Sequence, residues 1–298
     1  MDEKNLLAER FEENRTHLRA VAYRMLGSVA EAEDAVQESW FRAERTDLSA
    51  VQNLGGWLTT VVGRVCLDML RTRKARREDL LDTHIPDPAS VSRLDPAHTA
   101  VVDPEQEVIQ ADAVGLALLV VLDTLPAAER LAFVLHDMFA VPFDDIAAIV
   151  DRTPATTRQL ASRARRKVEG SAPVPEPDQA LQREVVEAFM AAARDGDFEA
   201  LVSVLDPDIV FRVDAGAGAL SRLVRGATAV ASGAVTFSRN APYSRLVLIN
   251  GEVGLFATVK GRPSALMAFT VSGGKVVQIN LVADPERLAA IAASLPAD

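Results

Sequence analysis

The stretch Pro154–Lys167, PATTRQLASRARRK, constrains this chain most. Wound as a helix at about 100° per residue, it sorts into two faces. Leu160, Ala161, Ala164 and Val168 fall on an apolar side; Arg158, Gln159, Ser162, Arg163 and Arg166 fall opposite. No acidic residue occurs from Thr153 to Val168. Arg grips guanine edges and phosphates, Gln grips adenine and Ser adapts, so this face suits a DNA major groove. A lone basic helix is more often a solvated face, but the residues before it argue otherwise. Phe143, Ile146, Ala147 and Val150 repeat at i, i+3, i+4 and i+7. Asp151-Arg152-Thr153 then makes a short turn, with Thr153 as the expected N-cap and Pro154 in the first helical turn. Helix, short turn and basic helix together read as a helix-turn-helix, although the turn lacks the common Gly.

Bulk properties bound the rest. A length of 298 residues predicts two to three domains. The net charge of −10 argues against nonspecific polyanion binding by the whole chain. Basic residues nevertheless cluster at Arg71–Arg77 and Arg158–Lys167, as expected of a protein that touches nucleic acid at chosen places. A single cysteine, Cys66, excludes an internal disulfide and suits a reducing cytoplasm. It falls within an apolar helical face and reads as a small core residue rather than a nucleophile. The four His, at 17, 84, 98 and 136, lack ligand spacing, so neither a metal nor another cofactor is expected. The N-terminus has no signal-peptide pattern and no apolar run reaches membrane-spanning length, so no membrane partner is expected.

Along the chain, Leu18, Val21, Ala22, Met25 and Leu26 show helical periodicity. Gly27-Ser28 breaks it, and Ser28 with Glu31 forms a candidate capping box for a helix with apolar line Ala32, Ala35, Val36, Trp40 and Ala43. Asn53-Leu54-Gly55-Gly56 reads as a loop, followed by a helix whose broad apolar face runs from Trp57 to Met69. From about 78 to 107 the pattern fails among Pro86, Pro88, Pro96 and Pro104, which predicts an extended, mobile linker. Helices are expected over 108–125 and 127–138. Gly170–Asp178 is a second, Pro-rich linker. Beyond it come helices over 180–193 and 198–205, then strand-like runs at 209–213, 246–249, 254–259, 265–271 and 276–282. Asn250-Gly251 and Gly273-Gly274 predict hairpins. Val277, Ile279 and Leu281 are expected on one face of a curved antiparallel sheet able to wrap a pocket.

Several of these segments, in this order, resemble a known family. AEDAVQESWFRA at 32–43, WLTTVVGRVCLDMLR at 57–71, LPAAERLAFVLHDMFAVPFDDIAAIV at 125–150 and RQLASRARRKV at 158–168 look like a bacterial RNA polymerase sigma factor of the extracytoplasmic-function group. The tail resembles a SnoaL-like domain of the nuclear-transport-factor-like cone fold. The resemblance implies a multidomain chain: two all-α sigma domains, the second with the helix-turn-helix, followed by an α+β cone. Its expected divisions are sigma region 2 at 6–77, a linker at 78–107, sigma region 4 at 108–169, a Pro-rich linker at 170–178 and the SnoaL-like domain at 179–290. It further implies roles for residues. Asp34, Gln37, Glu38 and Phe41 match the part that docks on the clamp of the polymerase largest subunit. Asn53, Arg64, Asp68, Arg71, Arg73 and Lys74 match the part that captures the unpaired minus-ten promoter element. Arg158, Gln159, Ser162, Arg163 and Arg166 match the reader of the minus-thirty-five duplex. The implied partners are core RNA polymerase, through its clamp and flap, and promoter DNA, in the cytoplasm; no bond chemistry is implied.

Members with this tail often carry three further motifs. The WLPEP-type linker motif is replaced here by Thr83-His84-Ile85-Pro86-Asp87-Pro88, without Trp. The DGGGK-type motif is Asp214-Ala215-Gly216-Ala217-Gly218, without Lys. The NPDKL-type ending survives as Asp284-Pro285-Glu286-Arg287-Leu288. Asp214, Asp284, Pro285 and Leu288 are thus the candidate regulatory residues of a tail that tunes the promoter-binding part. Two other readings of the tail remain. A cone-fold enzyme needs a general base and an oxyanion donor, yet the tail has no His, and Asp214 beside Ala215-Gly216 reads as a turn residue. A sensor would hold a small ligand in the cone, but apolar positions such as Leu266, Phe269 and Ile279 would be core either way.

Overall fold

The computed structural model describes residues 3–46, 51–76, 83–94, 114–216, 221–237 and 243–295. The chain forms two compact units, Met1–Leu81 with Val121–Ser171, and Asp82–Val120 with Ala172–Asp298. This differs from the expected series of domains and linkers. Both predicted sigma regions share the first unit, and the described part of the first linker belongs to the second.

The first unit is helical. Helix α1 (Glu3–Leu26) ends where Gly27 takes a left-handed φ of 71°. Helix α2 (Val29–Glu44) then starts at Ser28, whose hydroxyl accepts the Glu31 N–H at 3.5 Å. The Glu31 carboxylate does not close the capping box; it pairs with Arg73 of α3 (Leu54–Arg76). The expected loop at 53–56 is the first turn of α3. Asn53 Oδ1 accepts the Gly56 N–H at 3.0 Å, and Asn14 occupies the space a side chain at Gly55 would need. Leu18, Val21, Ala22, Met25, Leu58, Val62 and Cys66 are fully buried, as their periodicity predicts. Burial pushes the Cys66 thiol up to about 12, outweighing the nearby Arg130 charge, so it is an inert core residue.

The remainder of this unit begins within α4 (Leu116–Asp123), which starts later than the expected residue 108 among the described residues. Helix α5 (Ala127–Phe133) runs into a π-helical turn, Val134–Met138. The turn is closed by the Val141 N–H on the Leu135 carbonyl at 2.9 Å, and His136 stacks on Phe143 at 3.7 Å between ring centroids. Helix α6 (Phe143–Val150) ends at Asp151, which adopts φ 55°, ψ 56° in place of the missing Gly. Asp visits this left-handed region more readily than most side chains. Thr153 caps α7 (Pro154–Ser171) by accepting the Thr156 N–H at 3.2 Å.

Helix α3 packs on α5 and α6. Gly63 makes the approach close: a Cβ there would sit 3.1 Å from Leu135 and 3.4 Å from Leu131. A second tie is Arg130 on α5. It is 1% exposed, donates to the Arg24 carbonyl of α1 at 3.2 and 3.1 Å, and pairs with Asp123 at 2.8 Å.

Among the described residues of the second unit, seven strands form one sheet in the order β1-β4-β5-β6-β7-β2-β3. They are β1 (Val91–Arg93), β2 (Leu205–Asp214), β3 (Arg222–Arg225), β4 (Ser244–Ile249), β5 (Glu252–Val259), β6 (Arg262–Ser272) and β7 (Lys275–Val282). The sheet is not wholly antiparallel, because β2 runs parallel to β7. A bulge between Thr270 and Val271 places Val276, rather than Val277, in the core with Ile279 and Leu281. Asn250-Gly251 makes the expected hairpin turn with φ of 50° and 83°. Helices α8 (Gln179–Asp195), α9 (Phe198–Val204) and α10 (Ala227–Phe237) accompany the sheet, and α11 (Pro285–Ser294) packs on β6. Asp178, Asp197 and Asp284 cap α8, α9 and α11.

Removing the Arg130 side chain strands the Asp123 carboxylate and the Arg24 carbonyl. Arg130→Ala should therefore lower unfolding stability by about 3–5 kcal/mol, read as a fall in urea midpoint at unchanged slope. The double change Arg130→Met with Asp123→Leu should recover most of that loss.

Candidate nucleic-acid interface and linker clasp

Helix α7 presents its two faces as its sequence dictates. Thr157, Ala161 and Ala164 are buried, whereas Arg158, Gln159, Ser162, Arg163 and Arg166 are all exposed and line one open depression. Light contacts pre-set the arginines. Arg158 lies over the Phe143 ring at 5.5 Å, and Arg163 sits 3.9 Å from Glu129. Arg165 is spent on Asp137 and Lys167 on the Thr124 carbonyl, so these two orient the helix. The result is an exposed basic row along one helix face, with phosphate-seeking and base-seeking groups side by side.

The residues assigned to the minus-ten element divide. Asn53, Arg64, Asp68 and Arg71 are exposed. Asn53 also caps α3, and Arg64 donates to the Ala148 carbonyl of α6 at 3.0 Å. Trp57, Thr60 and Arg64 face Asp145, Ala148 and Ile149 of α6 across a cleft of about 540 Å³. Arg73 is instead a brace: it donates twice to the Leu26 carbonyl at 3.2 Å and pairs with Glu31. Its inward position follows from the end of α1, whose last carbonyls need donors. The side chain of Lys74 lies outside the described residues. On α2, Asp34, Gln37, Glu38 and Phe41 form one exposed strip, with Phe41 42% exposed.

The four tail residues converge with residues the sequence reading did not single out. Asp214 is not a simple turn residue. It ends β2, is 6% exposed, and accepts the Ile85 N–H at 3.0 Å, the Gly216 N–H at 3.1 Å and Arg287 Nη1 at 2.8 Å, with His84 Nδ1 at 3.4 Å. Burial opposes its ionisation, but His84, the two N–H groups and the Arg287 charge outweigh burial and hold the carboxyl below the usual range. Arg287 completes the clasp through Asp87 at 2.8 Å and the Ile85 carbonyl at 2.7 Å. Asp284 caps the helix that carries Arg287, Pro285 opens that helix and Leu288 anchors it in the core. Ile85, within the stretch that lacks Trp, is itself fully buried.

A second grip lies at the β4–β5 turn. Asn250 Oδ1 accepts the N–H groups of Ala89 and Ser90 at 2.8 and 3.1 Å, and its Nδ2 donates to the Val114 carbonyl at 3.0 Å. One side chain thus ties the linker at Ala89 and Ser90 to the chain at Val114. Glu252 lies against Gly115, where any side chain would collide with its carboxylate. The linker over 83–94 is therefore docked, contributing β1 to the sheet, and the expectation of a mobile segment does not hold there. Its Pro-rich sequence still supplies N–H groups at Ile85, Ala89 and Ser90, and these are the groups the tail holds.

Residues 10–76 match Sigma-70 region 2 and residues 115–168 match Sigma-70, region 4. Over 297 residues the chain is 38% identical to the ECF RNA polymerase sigma factor SigJ of Mycobacterium tuberculosis, covering 93% of this chain and 91% of that protein. The chain is an extracytoplasmic-function sigma factor. It is also 35% identical over 289 residues to the probable sigma factor SigI of the same organism, covering 95% of this chain and 94% of that one. The crystal structure of M. tuberculosis SigJ superposes with a TM-score of 0.73 at 37% identity, covering 95% of this chain and 98% of that one. The sigma factor thus has two sigma domains and a fused C-terminal α+β domain, and belongs to a family that binds core RNA polymerase and promoter DNA.

Two expectations follow for the clasp. Asp214→Ala leaves the Ile85 N–H without its acceptor and takes away one of the two carboxylates that hold Arg287, so amide exchange at Ile85 should accelerate by about tenfold or more; unchanged protection would remove Asp214 from the clasp. Burial lifts the Glu252 carboxyl to about 7, against about 4.3 in an unfolded chain. The folded state therefore keeps a proton that the unfolded chain loses. This contribution to stability is whole below about pH 4.3 and declines as pH rises toward about 7. Glu252→Gln should flatten that decline in urea midpoints measured across the same range.

Proposed function

We propose that α7 reads the minus-thirty-five duplex of the promoter through Arg158, Gln159, Ser162, Arg163 and Arg166. The carrying observation is their common exposure on one face of a helix that holds no acidic residue of its own from Thr153 to Val168. Asn53, Arg64, Asp68 and Arg71 hold the unpaired minus-ten strand, beside the Trp57 ring, a stacking platform of the kind single strands use. Arg73 supports them from within. The α2 strip of Asp34, Gln37, Glu38 and Phe41 docks on the clamp of core polymerase, and the helix-turn-helix part engages the flap. The protein works in the cytoplasm and does no bond chemistry itself. Among the described residues, the cavity of its C-terminal domain is lined by no acid, base or His that could serve a reaction.

The two readers are closed on one another. The minus-ten and minus-thirty-five elements lie about 25 base pairs apart, about 85 Å at 3.4 Å per base pair. A compact unit of this size has a radius of gyration of only about 14 Å. The α3–α6 contact at Gly63 and Arg64 must therefore open before both elements are held. The clasp on the linker tunes that opening, which makes the C-terminal domain a regulator built into the chain.

Run-off transcription with core polymerase tests the whole reading: the chain should confer promoter-specific initiation, and failure to bind core enzyme would sink it. Arg158→Ala or Arg163→Ala should each weaken binding to a selected promoter by about 1–3 kcal/mol. Phe41→Ala should weaken core-enzyme binding while leaving duplex promoter affinity intact. Gly63→Leu should wedge α3 from α6 and raise affinity for a single-stranded minus-ten oligonucleotide, read by fluorescence anisotropy.

A further inference from the structure

The C-terminal domain contains an unfilled cavity of about 190 Å³ between the inner face of the sheet and helices α8 and α10. Met190, Val213, Ala234, Ala265, Met267 and Ala283 all turn toward it and remain only half-buried. Core side chains in a well-packed interior reach native density, so these six lack the atoms that would complete them. Among the described residues, no Asp, Glu, Lys, Arg or His lines the space. Its polar side chains are the hydroxyls of Ser244 and Ser264. Both sit at one end: Ser244 pairs across the sheet with Ala257, and Ala257 with Ala265, the neighbour of Ser264.

This lining selects a ligand class. A phosphate, carboxylate or ammonium would lose its water with no partner to replace it. A neutral apolar molecule gains by burial, and a single polar group on it is met at the serine end. The space exceeds the about 150 Å³ cavity that takes benzene. We propose that the cavity binds an uncharged, largely apolar molecule of one ring or two fused rings carrying one hydrogen-bonding group, and that its occupancy is transmitted to the linker clasp. The path is one residue long on each side. Val213 in the wall precedes Asp214. Ala283, also in the wall, donates its N–H to the Asp214 carbonyl at 2.8 Å and precedes Asp284, the cap of the helix bearing Arg287. Shifting either wall residue shifts a clasp residue. The binding site stands without the promoter assignment; its regulatory use rests on that assignment.

The test uses the full chain, with indole and 2-naphthol as neutral probes and indole-3-acetate and 2-naphthoate as charged counterparts, read by calorimetry. Each neutral probe should bind at least about tenfold more tightly than its charged counterpart. Ala234→Leu and Ala265→Leu, two independent ways to fill the space, should each weaken neutral-probe binding by about fivefold or more, with circular dichroism showing which variant is folded. Absence of neutral binding, equal binding of the charged probes, or undiminished binding to a folded filled variant overturns the site. Saturation with indole should change amide exchange at Ile85 by about threefold or more, and an unchanged rate overturns the coupling. No DNA or polymerase is present, so these results are separate from any failure of promoter reading.

Discussion

A carboxylate taken out of water is stable only when the protein replaces the hydrogen bonds it gave up. Asp214 draws its replacements from the linker through Ile85 and His84, from its own turn through Gly216, and from α11 through Arg287. Arg287 in turn spends its remaining donors on Asp87 and the Ile85 carbonyl. Three chain segments far apart in sequence therefore become one charge-balanced group. None of them can leave without stranding a charge or a backbone donor. The path of the linker, the start of α11 and the end of β2 all follow from satisfying this one side chain.

The first unit is held together by contacts of very different strength. Arg130 is wholly buried and its burial opposes its charge. Asp123 belongs to the same half of the unit, so separating that half from α1–α3 keeps this pair and gives up the Arg24 carbonyl, the Arg73–Asp123 pair at 4.0 Å and the contacts of the Phe139 ring with His17 and Arg24. The desolvation of Arg130 is relieved at the same moment. The other tie, Arg64 to the Ala148 carbonyl, is an exposed hydrogen bond, worth about 1 kcal/mol net. Closure thus depends mainly on apolar packing around Gly63. Core polymerase and promoter shift this equilibrium only by as much as they prefer the open form. Inverting a population from about 1:99 to 99:1 takes about 5.5 kcal/mol of differential binding. The basic face of α7, for which minus-thirty-five reading is proposed, is already exposed and under that proposal lends little to the difference. The work falls to the face of α3 that α6 partly covers.

The helices and their two-sided character were legible because period and burial coincide: α7 exposes the very five residues its wheel separates. Caps at Ser28, Thr153 and Asp178 followed local rules. What local rules do not carry was missed. Gly55-Gly56 looks like a loop, yet a helix start is the place where Gly costs little and Asn53 can cap. Arg73 and Arg71 are alike in sequence; only the position of the α1 carboxyl end turns one inward. Strand β3 and helix α10 were too short or too small-residue-rich to show a period. The parallel pairing of β2 with β7 and the bulge beside Val276 are long-range facts. In the clasp, Asp214 and Asp284 were recognised by motif. Arg287 and Asn250 were not, because Asn250 and one arm of Arg287 bind backbone groups of a Pro-rich segment, and the carboxylates of Asp87 and Asp214 that Arg287 pairs with lie far from it in sequence.

The geometry of the linker ties these parts together. Asn250 touches Ala89, Ser90 and Val114 with a single amide, so these two points of the chain meet within a few ångströms of one turn. The chain left between Arg76, the end of α3, and Ala89 spans about 44 Å at full stretch, roughly half the separation between the two promoter elements. Released from Asn250, the whole segment from 76 to 114 spans about 130 Å at full stretch. Under the proposed promoter reading, the clasp would act on reach before it acts on affinity. While it holds, separation of the readers works against a short tether; once it opens, the same residues become a tether long enough for both promoter elements. A regulator of this kind needs no contact with either DNA-reading face. It needs only to set the population in which Asn250 and Asp214 keep hold of the linker backbone, and the cavity wall lies one residue from Asp214.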